Sequence, residues 1–425
     1  MTGRRIAVIG GGVSGLTAGY ILSRADEVTL FEAEGRLGGH ADTHLAGVPG
    51  GRQVPVDTGF IVYNERTYPL LTRLLRELGV ATQGSEMSMS VSCSGCGLRY
   101  AGQRGPAGLS AGLPRGGPRY LRMLAEVPRF HRAARRLLAA GPPGEGPPGG
   151  LSLGDFLRGA GFTRYFTAHF AVPLVAAVWS CPPGLALSYP AAYLFAFLAN
   201  HGMLSVTGSP RWRTVTGGSR RYVERIAAGL AEVRLSSPVR SVRRYPGGVV
   251  VRDASGARHD FDAAVIATHP DQALRLLDPP TAAERSVLGA FRYTPNQAVL
   301  HTDTRLLPPR APVRASWNYT LSCKDGQAPA PARVSYHMNR LQGLPPDQDY
   351  IVTLGGWQDV DPARVIAVMD YAHPAYTRES VAAQSRLPGL NTSVTAFAGA
   401  YHGWGFHEDG CKAGAAAALA LGGDW

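Results

Sequence analysis

The sequence predicts an α/β protein with a Rossmann-like, dinucleotide-binding domain and an α+β domain interleaved with it. Three observations predict this fold class. An apolar run ends at Ile9 and meets the glycine pattern of residues 10–15, a helical stretch then leads to a second apolar run at residues 28–31, and further strand-like runs follow near residues 263–268 and 394–400. Short apolar runs that alternate with helical patterns are typical of a parallel sheet covered by helices.

The glycine pattern G-x-G-x-x-G gives each of its glycines a separate physical role. Gly10 permits the tight turn, Gly12 lets a pyrophosphate approach the backbone, and Gly15 allows helix and strand to pack closely. Val13 and Ser14 begin the predicted helix, whose N-terminal N–H groups and positive dipole end attract phosphates. The stretch is therefore predicted to bind the pyrophosphate of a dinucleotide.

Charged residues and further glycines follow the second strand. Glu32 stands at the end of that strand, where a carboxylate accepts hydrogen bonds from ribose hydroxyls and disfavours the 2′-phosphate of NADP. Arg36 offers the pyrophosphate a fixed charge and a fork of donors. Gly38 and Gly39 let the backbone pass close to a bound ring.

These residues resemble the flavin-dependent amine oxidase and phytoene desaturase superfamily, in which G-x-G-x-x-G and a following E-x-x-x-R-x-G-G bind FAD. The resemblance implies a GR2-type, Rossmann-like FAD-binding domain with an interleaved α+β substrate domain. Residues 54–60 resemble the family's short strand beside the isoalloxazine ring, where Asp57 is either part of the motif or a turn residue. Val239 resembles the family position that presents backbone groups to adenine.

The C-terminal segment resembles the part of the family that closes the flavin site. Gly399 matches, but Ala400 stands where the family usually has an acidic residue that contacts the ribityl chain. Glu408 or Asp409 is expected either to replace that acid or to serve as a first-turn helix acid. The cofactor-binding residues predicted from the motifs and the resemblance are Gly10, Gly12, Val13, Ser14, Gly15, Glu32, Ala33, Arg36, Gly38, Gly39, His40, Thr58, Gly59, Phe60, Val239, Ala267, Gly399, Glu408, Asp409 and Gly410.

The same order of motifs predicts two discontinuous domains. Residues 1–80, 213–290 and 388–425 are assigned to the FAD-binding domain, and residues 81–212 and 291–387 to the substrate-binding domain. A more specific likeness, over residues such as 38–43, 212–220 and 405–410, is to bacterial FAD-dependent proteins found with cyclopropane-fatty-acid synthases.

An apolar stretch without any Asp, Glu, Lys or Arg lies between Arg164 and Arg211. Prolines interrupt it, so it is predicted to form short helices rather than one membrane-spanning helix. Two interpretations remain open for these helices, simple core packing or the lining of an apolar chamber for a lipid-sized substrate.

Histidines and aromatic residues near the predicted flavin are the candidate catalytic groups. His40, His402 and His407 are candidate bases because a histidine titrates near neutrality, although each is also a plausible structural residue. Tyr401 and Trp404, with Phe406 beside them, are candidates for the wall that holds substrate against the flavin.

These features predict an FAD-dependent oxidoreductase that takes a hydride from an apolar substrate of the acyl-chain or polyene kind. One alternative is a redox-neutral double-bond isomerase, and another is a non-catalytic FAD-binding partner protein. An amine oxidase is a third alternative, but residues 295–303 lack the lysine that many such enzymes place near the flavin.

Charge and cysteine content limit the partners. The net charge is +12, and 41 of the 43 basic residues are scattered arginines, which argues against nucleic-acid binding and is compatible with transient contact with a membrane surface or an acyl carrier. The sequence carries no signal for an oligomeric state. The chain enters the glycine motif without a signal peptide, and its five cysteines suit a reducing compartment, so a cytoplasmic protein is expected.

Cys93 and Cys96 form a C-x-x-C pair without a second pair nearby, so a hairpin turn is predicted and no metal site. The Gly/Pro-rich residues 102–118 and 141–150 are predicted as loops, and residues 120–140 as an amphipathic helix.

Overall fold

The computed structural model describes residues 3–47, 51–102, 104–141, 150–205, 208–323 and 332–425. The strands are β1 (Arg5–Ile9), β2 (Glu27–Phe31), β3 (Thr43–Gly47), β4 (Gln53–Asp57), β5 (Tyr63–Asn64), β6 (Thr82–Gly84), β7 (Met89–Cys93), β8 (Arg99–Ala101), β9 (Trp212–Val215), β10 (Glu232–Arg234), β11 (Val239–Tyr245), β12 (Gly248–Asp253), β13 (Arg258–Phe261), β14 (Ala263–Ile266), β15 (Arg292–His301), β16 (Trp317–Leu321), β17 (Arg333–His337), β18 (Ile351–Leu354), β19 (Val365–Ala375) and β20 (Thr395–Phe397).

The α-helices are α1 (Val13–Leu22), α2 (Pro69–Glu77), α3 (Gly105–Ser110), α4 (Leu113–Ala139), α5 (Leu153–Gly159), α6 (Arg164–Phe166), α7 (Val172–Trp179), α8 (Pro183–Ala186), α9 (Ala191–Asn200), α10 (Arg220–Ala227), α11 (Pro270–Leu276), α12 (Ala282–Leu288), α13 (Met338–Gln342), α14 (Arg378–Gln384) and α15 (His407–Ala420). A π-helical turn, Thr167–Ala171, joins α6 to α7.

A parallel sheet in the order β10-β2-β1-β14-β20 carries the glycine loop at the end of β1. Its central strands are buried on both faces, which is why β1 and β14 are continuous apolar runs rather than alternating ones. Helices α1 and α15 pack against each other beside this sheet, and small residues at their contact let the backbones approach closely. The α/β fold class predicted from the sequence is confirmed.

A second large sheet is mixed and has the strand order β19-β15-β18-β17-β16-β7-β8. Most of its neighbouring strands are antiparallel, but β7 pairs with β16 in parallel, with Cys93 opposite Leu321. The long strands β15 and β19 pair along ten residues of β15 and bring the end of β19 towards the parallel sheet. The domain boundaries given above remain a prediction.

The apolar stretch 164–211 forms the short helices α6, α7, α8 and α9, as its prolines predict. The expected loop over residues 102–118 was wrong in part, because residues 105–110 form α3 and α4 already begins at Leu113. Pro106 and Pro114 lie in the first turns of these helices, where the missing N–H has no intrahelical partner to lose. Most of the second predicted loop, residues 142–149, lies outside the described residues.

Within the described ranges, none of the helices combines the length and the apolar character needed to span a bilayer.

Candidate active site

The glycine loop leaves open space at one glycine and none at another. Gly10 has a φ of +106°, a conformation that favours glycine. Gly12 has an extended backbone with φ −74° and ψ 176°, and a Cβ there would meet nothing within 4 Å. At Gly15 a Cβ would lie 2.0 Å from the carbonyl oxygen of Gly10. The packing of α1 therefore closes the loop at Gly15 and leaves it open at Gly12.

Two charged side chains hold the loops around this space. The Glu32 carboxylate accepts hydrogen bonds from the N–H of Gly11, at 2.7 Å, and from that of Glu34, at 2.9 Å. Arg36 donates to the carbonyl oxygen of Gly39 at 2.9 Å and pairs with Asp42 at 3.2 Å. Glu32 is thus hydrogen-bonded to the glycine loop, and Arg36 is hydrogen-bonded to the turn at Gly39.

One cavity of about 1100 Å³ extends from this loop to the mixed sheet. Most of the predicted site residues line it. They are Gly10, Gly12, Val13, Ser14, Glu32, Ala33, Arg36, Gly38, Gly39, His40, Thr58, Gly59, Phe60, Val239, Ala267, Gly399, Tyr401, Trp404 and His407.

Two of the predicted acids are used in helix capping rather than at the cavity wall. The Glu408 carboxylate accepts the N–H groups of Leu70 and Leu71, both at 3.0 Å, in the first turn of α2. Asp409 accepts the N–H of Phe406 at 2.9 Å and so caps its own helix. Burial raises the pKa of Asp409 to about 7. Neither residue replaces the acid that is missing at Ala400.

Three further predicted residues lie behind the wall. Gly15 and Gly410 serve the packing of α1 against its neighbours, since a Cβ on Gly410 would lie 2.5 Å from a Cγ of Val13. His402 is half-buried next to Tyr401, with ring centroids 4.8 Å apart, and is not among the residues that line the cavity. Its expected role as a base is therefore not supported by its position.

His40 is a predicted base that lines the cavity and has an unpartnered ring nitrogen among the described residues. Its ring stacks on Tyr371 with centroids 4.9 Å apart, and its buried Nε2 has no hydrogen-bond partner among the described residues. Burial, with the neighbouring His373, lowers the pKa of His40 well below its ordinary value. The imidazole is therefore neutral at physiological pH.

His407 lines the cavity, but its ring contacts other residues of the protein. Its ring stacks on Phe60 with centroids 3.6 Å apart, and its Nε2 lies 3.0 Å from the Tyr222 hydroxyl. Burial lowers the pKa of His407 to about 3. Phe60 covers one face of the His407 ring, and the Tyr222 hydroxyl occupies its Nε2. His407 therefore positions Phe60 rather than serving as a base.

The buried neutral state of His407 makes the fold sensitive to acid. Its pKa is depressed in the folded state, so its contribution to stability is complete above the unfolded value near 6.5 and is lost as the pH falls below it. Relative to wild type, we expect His407→Gln to lose about 1 kcal/mol less stability between about pH 7.5 and about pH 5.5 in urea unfolding. Tyr222→Phe, which leaves the imidazole buried, should keep the wild-type slope. Equal slopes in His407→Gln and wild type would contradict the assignment.

Several cavity-lining residues on β19 were not predicted as site residues from the sequence. The Tyr371 hydroxyl donates to the Asp42 carboxylate at 2.9 Å and lies 2.7 Å from the Thr58 hydroxyl. His373 follows two residues later on β19, and burial lowers its pKa to about 4. The signal that could have identified this strand was its β-branched and aromatic residues, Val365, Ile366, Val368 and Tyr371.

The end of the cavity at the mixed sheet is apolar and aromatic. Its lining comes from α7 and from β16 to β19 together with the loop before α15. The side chains are Trp179, Trp317, Tyr336, Leu354, Met369, Trp404 and Phe406. The Trp179 indole donates to the carbonyl oxygen of Trp404 at 3.1 Å. This hydrogen bond fixes α7 relative to the loop before α15.

The geometry fits FAD on three observations from the protein itself. The space above Gly12 adjoins the N-terminus of α1, where a pyrophosphate is favoured. His40 lines the cavity, and its buried Nε2 has no hydrogen-bond partner among the described residues. The volume of about 1100 Å³ exceeds the ~300–1,000 Å³ of ordinary small-molecule pockets, which leaves room for a dinucleotide and part of a substrate.

The sequence profile of flavin containing amine oxidoreductases matches residues 13–347, and the chain belongs to this family. It is thus an FAD-dependent oxidoreductase. Coproporphyrinogen III oxidase from Mycobacterium bovis is 29% identical over 313 residues, a match that covers 68% of this chain and 65% of that protein. The match therefore spans less than two thirds of the length of this relative.

Solved structures agree in fold. A double mutant of putrescine oxidase superposes with a TM-score of 0.71 and 16% identity, covering 99% of both chains. A CLA-producing fatty acid isomerase from P. acnes gives a TM-score of 0.66 with 17% identity and 97% coverage of both chains. The comparisons do not support the expected association with cyclopropane-fatty-acid synthases.

Proposed function

We propose that this enzyme removes a hydride from an apolar substrate, of the acyl-chain or polyene kind, and so forms a carbon–carbon double bond. The observation that carries the proposal is the aromatic and apolar end of the cavity, which is continuous with the dinucleotide end. A largely apolar and aromatic wall of this kind favours a substrate that buries hydrocarbon. The net charge of +12 would in addition attract an acyl carboxylate to the enzyme.

FAD, when bound, supplies a two-electron acceptor for the hydride. The residues of this chain have the remaining tasks. Trp179, Trp404 and Phe406 exclude water from the reacting carbon and orient the substrate. We assign the acceptance of the proton that leaves the neighbouring carbon to His40, whose imidazole lines the cavity. An external electron acceptor, oxygen or a quinone, takes the two electrons and completes turnover.

An amine oxidase is less well supported by the residues present. The chain has two lysines, of which Lys412 lies on α15 away from the cavity lining and Lys324 lies outside the described residues. The relative by sequence reported above is named for coproporphyrinogen rather than for an amine.

Anaerobic reduction of the bound flavin tests the proposal directly. The FAD-loaded enzyme is mixed without oxygen with a polyunsaturated fatty acid, a carotenoid polyene, putrescine or cyclohexylamine, and flavin absorbance is followed. We expect bleaching with an apolar compound and none with the amines. Bleaching by the amines alone would overturn the proposal. A product with the mass of its substrate, formed without an acceptor, would replace the desaturase by a redox-neutral isomerase.

Met369 provides a test of the apolar end itself. This residue is buried on β19 and lines the cavity. We expect Met369→Gln, which has nearly the same shape but adds a polar amide, to raise KM for the active apolar substrate about tenfold. Met369→Leu should stay close to wild type because it keeps the volume and the apolar surface. A loss of equal size in both variants would mean that shape rather than polarity is sensed.

A further inference from the structure

A cluster of four metal-ligating side chains lies at the β7–β8 end of the mixed sheet, and none of the four lines the flavin cavity. The side chains are those of Cys93, Cys96, His169 and Cys323, and their ligand atoms all lie within 4.8 Å of one another. Cys93 and His169 are buried. No disulfide joins the cysteines. Three sulfurs and one imidazole nitrogen form the ligand set of a Cys₃His zinc site.

We propose that these four residues bind a structural zinc ion. In a tetrahedral site, Zn–S bonds of ~2.3 Å and a Zn–N bond of ~2.0–2.1 Å place a sulfur and a nitrogen ligand about 3.6 Å apart. The Cys96 Sγ and the His169 Nε2 are 3.5 Å apart. This separation is already that of two ligands of one zinc ion, and it leaves no room for a further residue between them.

The orientation of His169 supports the proposal independently. Its Nδ1 lies 3.0 Å from the carbonyl oxygen of Tyr165, so Nδ1 carries the proton and the Nε2 lone pair faces the cysteines. A hydrogen bond of this kind from the second nitrogen is typical of metal-bound histidines. The Tyr165 ring stacks on the imidazole with centroids 4.1 Å apart and fixes its plane.

The π-helical turn around His169 places its side chain at the sheet. The turn occupies Thr167–Ala171, and the Tyr100 hydroxyl on β8 donates to the carbonyl oxygen of His169 at 2.7 Å. Isolated π turns in helices occur frequently at functional sites. The irregular backbone here brings the imidazole to the β7–β8 hairpin.

The cysteines come together through the sheet. Cys93 and Cys96 flank the hairpin turn between β7 and β8, which confirms the predicted hairpin. The parallel pairing of β7 with β16 places Cys93 opposite Leu321, two residues before Cys323. At Gly95 a Cβ would lie 2.0 Å from the carbonyl oxygen of Cys323, so glycine is needed for this close approach. The expectation of no metal site considered only the C-x-x-C pair, and the fold supplies the two missing ligands.

A zinc ion here would connect the helical layer to the mixed sheet. His169 precedes α7, and the last residues of that helix, including Trp179, line the apolar end of the cavity. The ion would therefore hold the wall of the substrate chamber from behind. It would take no part in the chemistry, because four protein ligands leave no open coordination position.

Metal analysis of the purified FAD-loaded enzyme tests the site. The protein is made without a metal-binding tag in zinc-supplemented medium, and zinc, iron and FAD are measured per chain. We expect one zinc per chain in wild type and less than a tenth of that in Cys96→Ser and in Cys323→Ser. Cys181→Ala, which removes a buried cysteine outside the cluster, should keep its zinc. The FAD content of each variant reports whether it has folded.

A second measurement on the unmodified protein covers the case in which the variants fail to fold. After zinc is removed with a chelator, one equivalent of Co²⁺ is added. Intense thiolate-to-cobalt absorption with tetrahedral d–d bands would support the site. Wild-type protein that contains no zinc, holds iron instead, or shows a disulfide among the three cysteines by mass spectrometry would overturn the proposal, as would zinc retained in Cys96→Ser and Cys323→Ser.

Discussion

Gly12→Asp should remove FAD from the enzyme without damaging the fold. The backbone of Gly12 is extended and suits any residue, and a Cβ there would meet no protein atom within 4 Å. Gly12 is also the N-cap of α1, a position where aspartate is favoured. We therefore expect an apoprotein at least as stable as wild type, with FAD affinity lower by at least about 100-fold, because the carboxylate repels the pyrophosphate.

Two comparison variants separate phosphate exclusion from general damage. Gly84→Asp adds the same charge at an exposed glycine of β6, where a Cβ also meets nothing within 4 Å, and it should bind FAD normally. Gly15→Ala should behave in the opposite way from Gly12→Asp, because its Cβ would lie 2.0 Å from the Gly10 carbonyl oxygen and so destabilises the fold. FAD titration of each apoprotein, with urea unfolding beside it, gives both quantities. Wild-type FAD affinity in Gly12→Asp would contradict the phosphate assignment.

The parallel sheet could be predicted from the sequence because its signals are local. A continuous apolar strand, a glycine loop and a helix start occupy residues 5–22, and each part needs only its near neighbours to be recognised. Glu32 follows at a fixed distance for the same reason. Local rules also anticipated the short helices of the apolar stretch 164–211, since Pro173 and Pro183 stand at the starts of α7 and α8, where a proline is tolerated.

The remaining site residues depend on contacts between distant parts of the chain. Glu408 has the sequence position of a first-turn acid, and only the packing of α15 beside α2 reveals that its carboxylate caps the other helix. Tyr371 reaches Thr58 from a strand more than 300 residues away. The four side chains of the proposed zinc site likewise come from three separate segments. No spacing rule along the chain encodes such approaches, because they follow from sheet order and register.

Asp57 is the strongest example, since its sequence signal did not distinguish a cofactor residue from a turn residue. Its side chain is buried at 1% exposure, and its carboxylate is surrounded by donors from three elements. The Thr43 hydroxyl lies at 2.5 Å, the Gln342 amide at 2.9 Å, and the N–H and hydroxyl of Ser219 both at 2.9 Å. The carboxylate therefore joins β3, the start of α10 and α13, directly before Thr58 and Gly59 of the cavity wall.

We expect Asp57→Asn to destabilise the FAD-saturated enzyme by about 3 kcal/mol, because an amide N–H₂ would face donors and leave buried groups without acceptors. Asp347→Asn is the matched control. It removes the charge of an exposed aspartate whose ion pair with Arg52 spans 3.5 Å, and it should change stability by less than about 0.5 kcal/mol. Urea unfolding at saturating FAD measures both. An Asp57→Asn variant as stable as Asp347→Asn would show that these hydrogen bonds do not hold the three elements together.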